Sequence, residues 1–216
     1  ALARDQLGTV GSGNHFVDLF EEKGTGRLWV AVHFGSRGFG HRTASGFINL
    51  TAGRDFLANA PGEKMDQPPV LLDLNSELGD MYFRAMKLAG RYAYAGRDYV
   101  ITQVLSMIGA DADFEVHNHH NYAWLESHNG KDTVVVRKGA TPSAPGQLGF
   151  IGGSMGDISV IVRGKDTEEN RDSFYSTVHG AGRIMSRTQA AGKMNWKTRK
   201  RSGGQISHEQ MMRAVQ

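Results

Sequence analysis

The segment RLWVAVHF, Arg27 to Phe34, alternates with period two: Leu28, Val30 and Val32 share one face, and Trp29, Ala31 and His33 the other. This predicts a strand with His33 at its end, entering the loop GSRGFGH. A second short strand is expected over PPVLLDL, Pro68 to Leu74. From Ser76 the period changes. Met81, Ala85, Leu88, Tyr92 and Ala95 follow helical spacing, and Val100, Val104, Leu105 and Ile108 continue it. Gly90, Gly96 and Gly109 are expected to break or close this stretch into two helices. FEVH then leads as a strand into a histidine cluster, and TVVVRKG (Thr133 to Gly139) and ISVIVRG (Ile158 to Gly164) read as β-branched strands. STVHGAGRIMSRTQAA reads as a strand end, a glycine turn at His179 and a helix beginning near Ala181. Strands and helices come in blocks, so the pattern favours an α+β fold over a doubly wound sheet. With no internal repeat and no linker before Lys193, residues 1–192 are expected to form one domain. Residues 193–216 then belong to it or form a flexible basic segment.

A chain of 216 residues supports one sizeable core or two small ones. Hydrophobic residues at 39% and charged residues at 22% describe an ordinary globular protein. No apolar run approaches the ~20 residues of a membrane-spanning helix. ALARDQLGTV lacks a secretory pattern. A cytoplasmic protein without membrane partners is the expectation, and a start at Ala1 rather than Met is expected of a chain that continues upstream. The absence of cysteine excludes disulfides and thiolate-metal sites in this chain, leaving His, Asp, Glu or Asn to hold any metal. The net charge of +3 is mild, but KMNWKTRKR, Lys193 to Arg201, holds five basic residues and no acid. Such a run suits phosphate binding and equally a solvated or disordered tail.

Glycine is in excess: 28 of 216 residues, about 13% against a usual ~7%. The glycines fall in short clusters, GTVGSGNH, GSRGFGH, GFIGGSMGD and HGAGR, beside strand-like segments. Glycine lets main-chain N–H groups approach a ligand closely, so the pattern reads as one site built from several loops. Nine histidines sort against those loops. His128, in a polar turn, is expected at the surface, and His208 begins HExxM and so lacks the second ligand of a helical zinc site. His41 and His117 fit either reading. His15, His33, His119, His120 and His179 each sit where an apolar segment meets a glycine or asparagine loop. One such histidine is ordinarily just hydrogen-bonded; five in a chain without cysteine point to a divalent-metal site. Arg37, Lys138 and Arg183 lie in the same loops and suit phosphate oxygens. Together they indicate metal-assisted phosphoryl transfer or hydrolysis.

The segments GTVGSGNHFVDL, VHFGSRGFGH, HNHHNYA, RKGATPSAPGQLGFIGGSMGD and HGAGRIMSR, in this order, resemble the RtcB family of RNA-splicing ligases, from about Gly8 to Arg187. The resemblance implies an enzyme that uses GTP and manganese, Mn(2+), to join an RNA 3′-phosphate, or a 2′,3′-cyclic phosphate opened to one, to a 5′-hydroxyl end. It implies that His179 becomes guanylylated and that His15, His33 and His120 hold metal. Guanylate contacts are implied for Asn14, Phe16, Val17, Asp18, His120, Asn121, Gly152, Gly153, Ser154, Met155, Ser159, His179, Gly180, Ala181 and Gly182. Arg37, Lys138 and Arg183 match basic positions that handle GTP or RNA phosphates, and His119 matches a further active-site histidine. The family also uses an aspartate and a cysteine from a loop before the GNHF segment, and a lysine near its C-terminus. None of these falls in this chain, Asp18 stands where Glu is common, and Gly152 where Pro is usual. A fragment of a longer enzyme is the expectation. The rival readings are a metal-dependent phosphodiesterase or phosphatase, and an RNA-binding relic that keeps the cations without catalysis.

Overall fold

The computed structural model describes residues 2–59, 68–154, 156–182 and 184–214. It mixes helix and strand, 33% and 25% respectively, in the α+β manner expected. The chain divides into two compact units, residues 1–115 and 116–216.

The first unit opens with a short helix, α1 (Leu2–Gln6), followed by the antiparallel hairpin β1 (Phe16–Glu21) and β2 (Leu28–His33). The alternation of RLWVAVHF is therefore that of β2, paired from Phe16↔His33 to Glu21↔Leu28. Two helices follow, α2 (Arg37–Thr51) and α3 (Glu77–Ile108). The loop GSRGFGH is shorter than its glycines suggest, since α2 begins inside it at Arg37.

The two helices expected after Ser76 are one. α3 runs 32 residues, about 48 Å at ~1.5 Å per residue, capped by Ser76, whose hydroxyl accepts from Gly79 N at 3.0 Å. Its glycines do not break it, because they lie on its buried face with Ala89, Ala93 and Val100. A side chain at Gly96 would put Cβ 3.2 Å from the Phe34 ring. Glycine costs a helix about 1 kcal/mol, less than the ~1.5–3 kcal/mol gained by burying a phenylalanine, so packing wins. Phe34, Phe47, Ala89, Ala93 and Val100 form this unit's core, with Phe56 and Tyr82 meeting Phe47 edge-on.

PPVLLDL is not a strand. It has no ladder partner among the described residues, Leu71 is 87% exposed, and its Asp73 carbonyl accepts from Ser76 Oγ at 2.6 Å. The segment serves as the lead-in to α3.

The second unit consists of paired strands and short helices: the hairpin β3 (Asn121–His128) and β4 (Lys131–Lys138), then β5 (Ala140–Pro142), β6 (Leu148–Ile151), β7 (Val160–Arg163), α4 (Glu168–Asp172) and β8 (Ser176–Val178). α5 (Arg187–Ala191), the hairpin β9 (Lys193–Asn195) and β10 (Lys200–Ser202), and α6 (His208–Ala214) complete it. β3 pairs β4 across the tight turn Asn129–Gly130, β5 pairs β8, and β6 pairs β7, all antiparallel. TVVVRKG and ISVIVRG thus supply β4 and β7.

Two boundaries differ from the sequence reading. FEVH is irregular, and pairing starts only at Asn121, where a partner strand exists. The helix expected near Ala181 begins instead at Arg187, behind a capping box of Ser186 and Gln189. Ala181 is instead held against the neighbouring loop, its N–H donating to Gly152 O at 2.9 Å.

Candidate active site

In the first unit the glycine loop before β1 brings His15 against Arg37. His15 Nδ1 lies 2.8 Å from Val10 O. A carbonyl can only accept, so this contact asks for the proton on Nδ1. Arg37 Nη1 is 3.1 Å from the same Nδ1. A guanidinium can only donate, so this second contact asks instead for a lone pair on Nδ1, and the two partners call for opposite tautomers. The guanidinium is placed by Thr9 Oγ1, which accepts from Nε at 3.3 Å, and by Gly11, where any Cβ would fall 2.1 Å from Nη2. Arg37 itself has φ 54, a left-handed conformation that costs a non-glycine residue roughly 1–2 kcal/mol.

His15 and His33 have ring centroids 6.4 Å apart, and Phe16 stacks on His33 at 5.3 Å and 12°. That stack follows from register, since Phe16 and His33 are cross-strand partners. Asn14, Val17 and Asp18 are exposed along the same loop and strand.

In the second unit His120 and His179 stack, with centroids 4.5 Å apart and planes 26° from parallel. Gly139 joins them. Its N–H donates to His120 O at 2.7 Å, and its carbonyl accepts from His179 Nδ1 at 2.7 Å. A carbonyl can only accept, so the neutral His179 ring carries its proton on Nδ1 and keeps the lone pair on Nε2. Gly139 has φ 71, and a Cβ there would sit 3.4 Å from His179 Cε1, so both conformation and contact ask for glycine.

The loops GGSMGDIS and HGAG are strapped side by side. Gly152 and Gly180 form a parallel bridge, Ala181 N donates to Gly152 O at 2.9 Å, and Ser159 Oγ accepts from Gly153 N at 3.0 Å. Ser154 is exposed in the turn it forms with Asp157, and Gly182 follows, exposed. Lys138 is exposed at the end of β4 opposite Asn121, and His119 stacks on Tyr122 at 4.8 Å. Met155 and Arg183 lie outside the described residues.

One group the sequence reading passed over is Arg137. Only 2% exposed, it forks onto Glu126 at 2.6 and 2.9 Å and donates to Ser176 Oγ at 2.8 Å and Phe174 O at 2.7 Å. It thereby ties β4 to the segment that leads through β8 into His179. Glu126 also accepts from His128 Nε2 at 2.8 Å, which places His128 in this network rather than at the surface. Burial alone would raise the Glu126 carboxyl, but the hydrogen bonds from Arg137 and His128 outweigh it and hold the group below its ordinary value. The sequence carried a signal for this: Arg137 shares a strand face with Thr133 and Val135, the face that β4 turns inward.

These features define an α+β protein in which glycine loops hold imidazoles, His15 against Arg37 in one unit and His179 against the Gly139 carbonyl in the other. The family model for tRNA-splicing ligase RtcB matches residues 1–214, and the chain belongs to that family. It is similar to the RNA-splicing ligase RtcB of Escherichia coli strain K12, 36% identical over 197 residues that cover 85% of this chain and 46% of that protein. It is similar also to the tRNA-splicing ligases RtcB of Thermococcus kodakarensis and Pyrococcus horikoshii, each 33% identical, covering 97% of this chain with 50% and 28% of theirs. The chain spans about half the length, or less, of these relatives. No helix among the described residues is long and apolar enough to cross a membrane.

Proposed function

We propose that this chain carries the nucleotidyl-transfer centre of a cytoplasmic RNA ligase that joins 3′-phosphate or 2′,3′-cyclic phosphate ends to 5′-hydroxyl ends with GTP. The observation that carries the reading is the 2.7 Å bond from His179 Nδ1 to Gly139 O, because it leaves Nε2 as the one nitrogen able to attack phosphorus. The Nε2 lone pair forms a bond to the α-phosphorus of GTP as the bond to pyrophosphate breaks. The ring then carries a positive charge, with its Nδ1 proton still held by the carbonyl. An oxygen of the RNA 3′-phosphate next takes the phosphorus, and the electron pair returns to Nε2. Finally the 5′-hydroxyl oxygen attacks the RNA phosphate, GMP leaves, and the hydroxyl proton passes to solvent.

Guanylate is bound by the strapped loops, Gly152 to Met155 with Ser159 and Gly180 to Gly182, together with Asn14, Phe16, Val17, Asp18, His120 and Asn121. Arg37, Lys138 and Arg183 are the groups proposed to neutralise phosphate oxygens, and His119 is proposed as a further active-site histidine. His15, His33 and His120 are the imidazoles proposed to hold manganese. Three imidazoles suit a divalent transition-metal ion, and at His15 a backbone carbonyl lies 2.8 Å from Nδ1, an outer partner of the kind that metal-binding histidines have. When bound, the ion supplies positive charge against the triphosphate.

The test is intact-mass spectrometry after incubation with GTP and manganese. A covalent GMP adduct is expected, absent in His179→Ala. Manganese binding without any adduct would overturn the ligase reading in favour of a hydrolase or an RNA-binding relic.

A further inference from the structure

Between Asp172 and Glu209 the chain has no acidic residue. Within that span β9 and β10 form a hairpin whose turn, Trp196–Arg199, projects one indole among cations. Trp196 is 85% exposed, and Lys197, Arg199 and Lys200 beside it are exposed as well. The hairpin is not a loose tail. Its turn is ordered by Asn195 Oδ1, which accepts from Lys197 N at 3.0 Å and Thr198 N at 3.2 Å. Its base is tied by Arg201 Nη1 donating to Gly192 O at 2.9 Å. Gln205 N and Ile206 N donate to the α5 carbonyls of Gln189 and Ala190, both at 2.9 Å.

An indole held out in water by an ordered turn forgoes the burial that aromatic side chains ordinarily provide. Placed among cations in a stretch of chain without acids, it matches the two requirements of single-strand binding: a flat surface for a base to stack on, and positive charge for the phosphates on either side. Insertion into a lipid surface fits less well, because the other three turn residues, Lys197, Thr198 and Arg199, are polar or charged.

We propose that the β9–β10 hairpin is a docking surface for single-stranded RNA, with a base stacked on Trp196 and phosphates neutralised by Lys197, Arg199 and Lys200. This deepens the ligase reading by naming where an RNA strand is gripped. Its test uses neither GTP nor manganese, so the two claims fail separately.

The experiment is fluorescence anisotropy of a labelled single-stranded RNA titrated with the chain, alongside quenching of the protein's tryptophan emission. Trp196→Ala is expected to weaken binding roughly tenfold, the effect of losing one stacked base, and Trp196→Phe to retain most of it. The triple variant K197A/R199A/K200A is expected to flatten the log–log salt dependence by about two, at ~0.7 per phosphate contact. Because these side chains are exposed, the variants keep their circular dichroism. Unchanged affinity in Trp196→Ala would overturn the proposal, as would binding to anionic phospholipid vesicles without binding to RNA.

Discussion

The second unit contains two hairpins rich in basic residues, and they use them in opposite ways. In β3–β4 the guanidinium of Arg137 is turned inward, shielded by Trp124 at 4.8 Å and spent on Glu126, Ser176 and Phe174. In β9–β10 the cations at and beside the turn are turned outward. The difference lies in partners. A buried guanidinium needs acceptors on every side, and the first hairpin has them; the second has no carboxylate in its own stretch of chain. Arg137 is therefore structural, whereas Arg199 in the turn of the second hairpin is exposed and available to a ligand.

The largest expected effect tests the buried side of that contrast. Arg137→Ala leaves Glu126 without its fork and Phe174 O and Ser176 Oγ without a donor. Removing one partner of a buried pair costs about 3–5 kcal/mol, so chemical denaturation should show a loss of roughly that size. Lysine should rescue little, because one ammonium cannot reproduce a planar fork. Next in size is Gly139→Ala. Its left-handed backbone predicts a loss of about 1–2 kcal/mol, and the new methyl group at His179 should slow adduct formation by more than that loss of stability accounts for.

Acid should expose the same network more gently. The Glu126 carboxyl is held below its ordinary 4.5, so the folded state favours its ionised form. Its contribution to stability is present above the ordinary value and is lost as pH falls through the lowered one. Glu126→Gln should flatten that part of the stability–pH profile. The smallest effect belongs to the outward hairpin: Lys200→Ala should change folding stability by no more than about 0.5 kcal/mol while weakening RNA binding. A stability loss at Lys200 comparable to that at Arg137 would erase the distinction between the hairpins.

What the sequence revealed follows the same logic of partners. RLWVAVHF, TVVVRKG and ISVIVRG were legible as strands because one-sided burial writes itself as alternation. PPVLLDL and FEVH carry similar residues without a neighbouring strand, and composition alone does not show whether a partner exists. Gly90 and Gly96 looked like helix breakers until the Phe34 ring against Gly96 supplied the reason for a missing side chain. His128 read as a surface residue because its carboxylate partner is itself held by an arginine eleven residues further along that strand pair. The glycine-loop context grouped five histidines, and two of them, His120 and His179, stack in the structure. The role of Gly139 was hidden, because it rests on backbone atoms of a residue forty positions from His179.

The tautomer of His179 is the most direct test of the account. Nitrogen-15 NMR of histidine-labelled protein, with the His179 signals assigned by their loss in His179→Ala, distinguishes a protonated from an unprotonated ring nitrogen. The account predicts that the neutral ring carries its proton on Nδ1 and leaves Nε2 bare. A proton found on Nε2 would contradict it, because the nitrogen facing the nucleotide would then have no lone pair to offer.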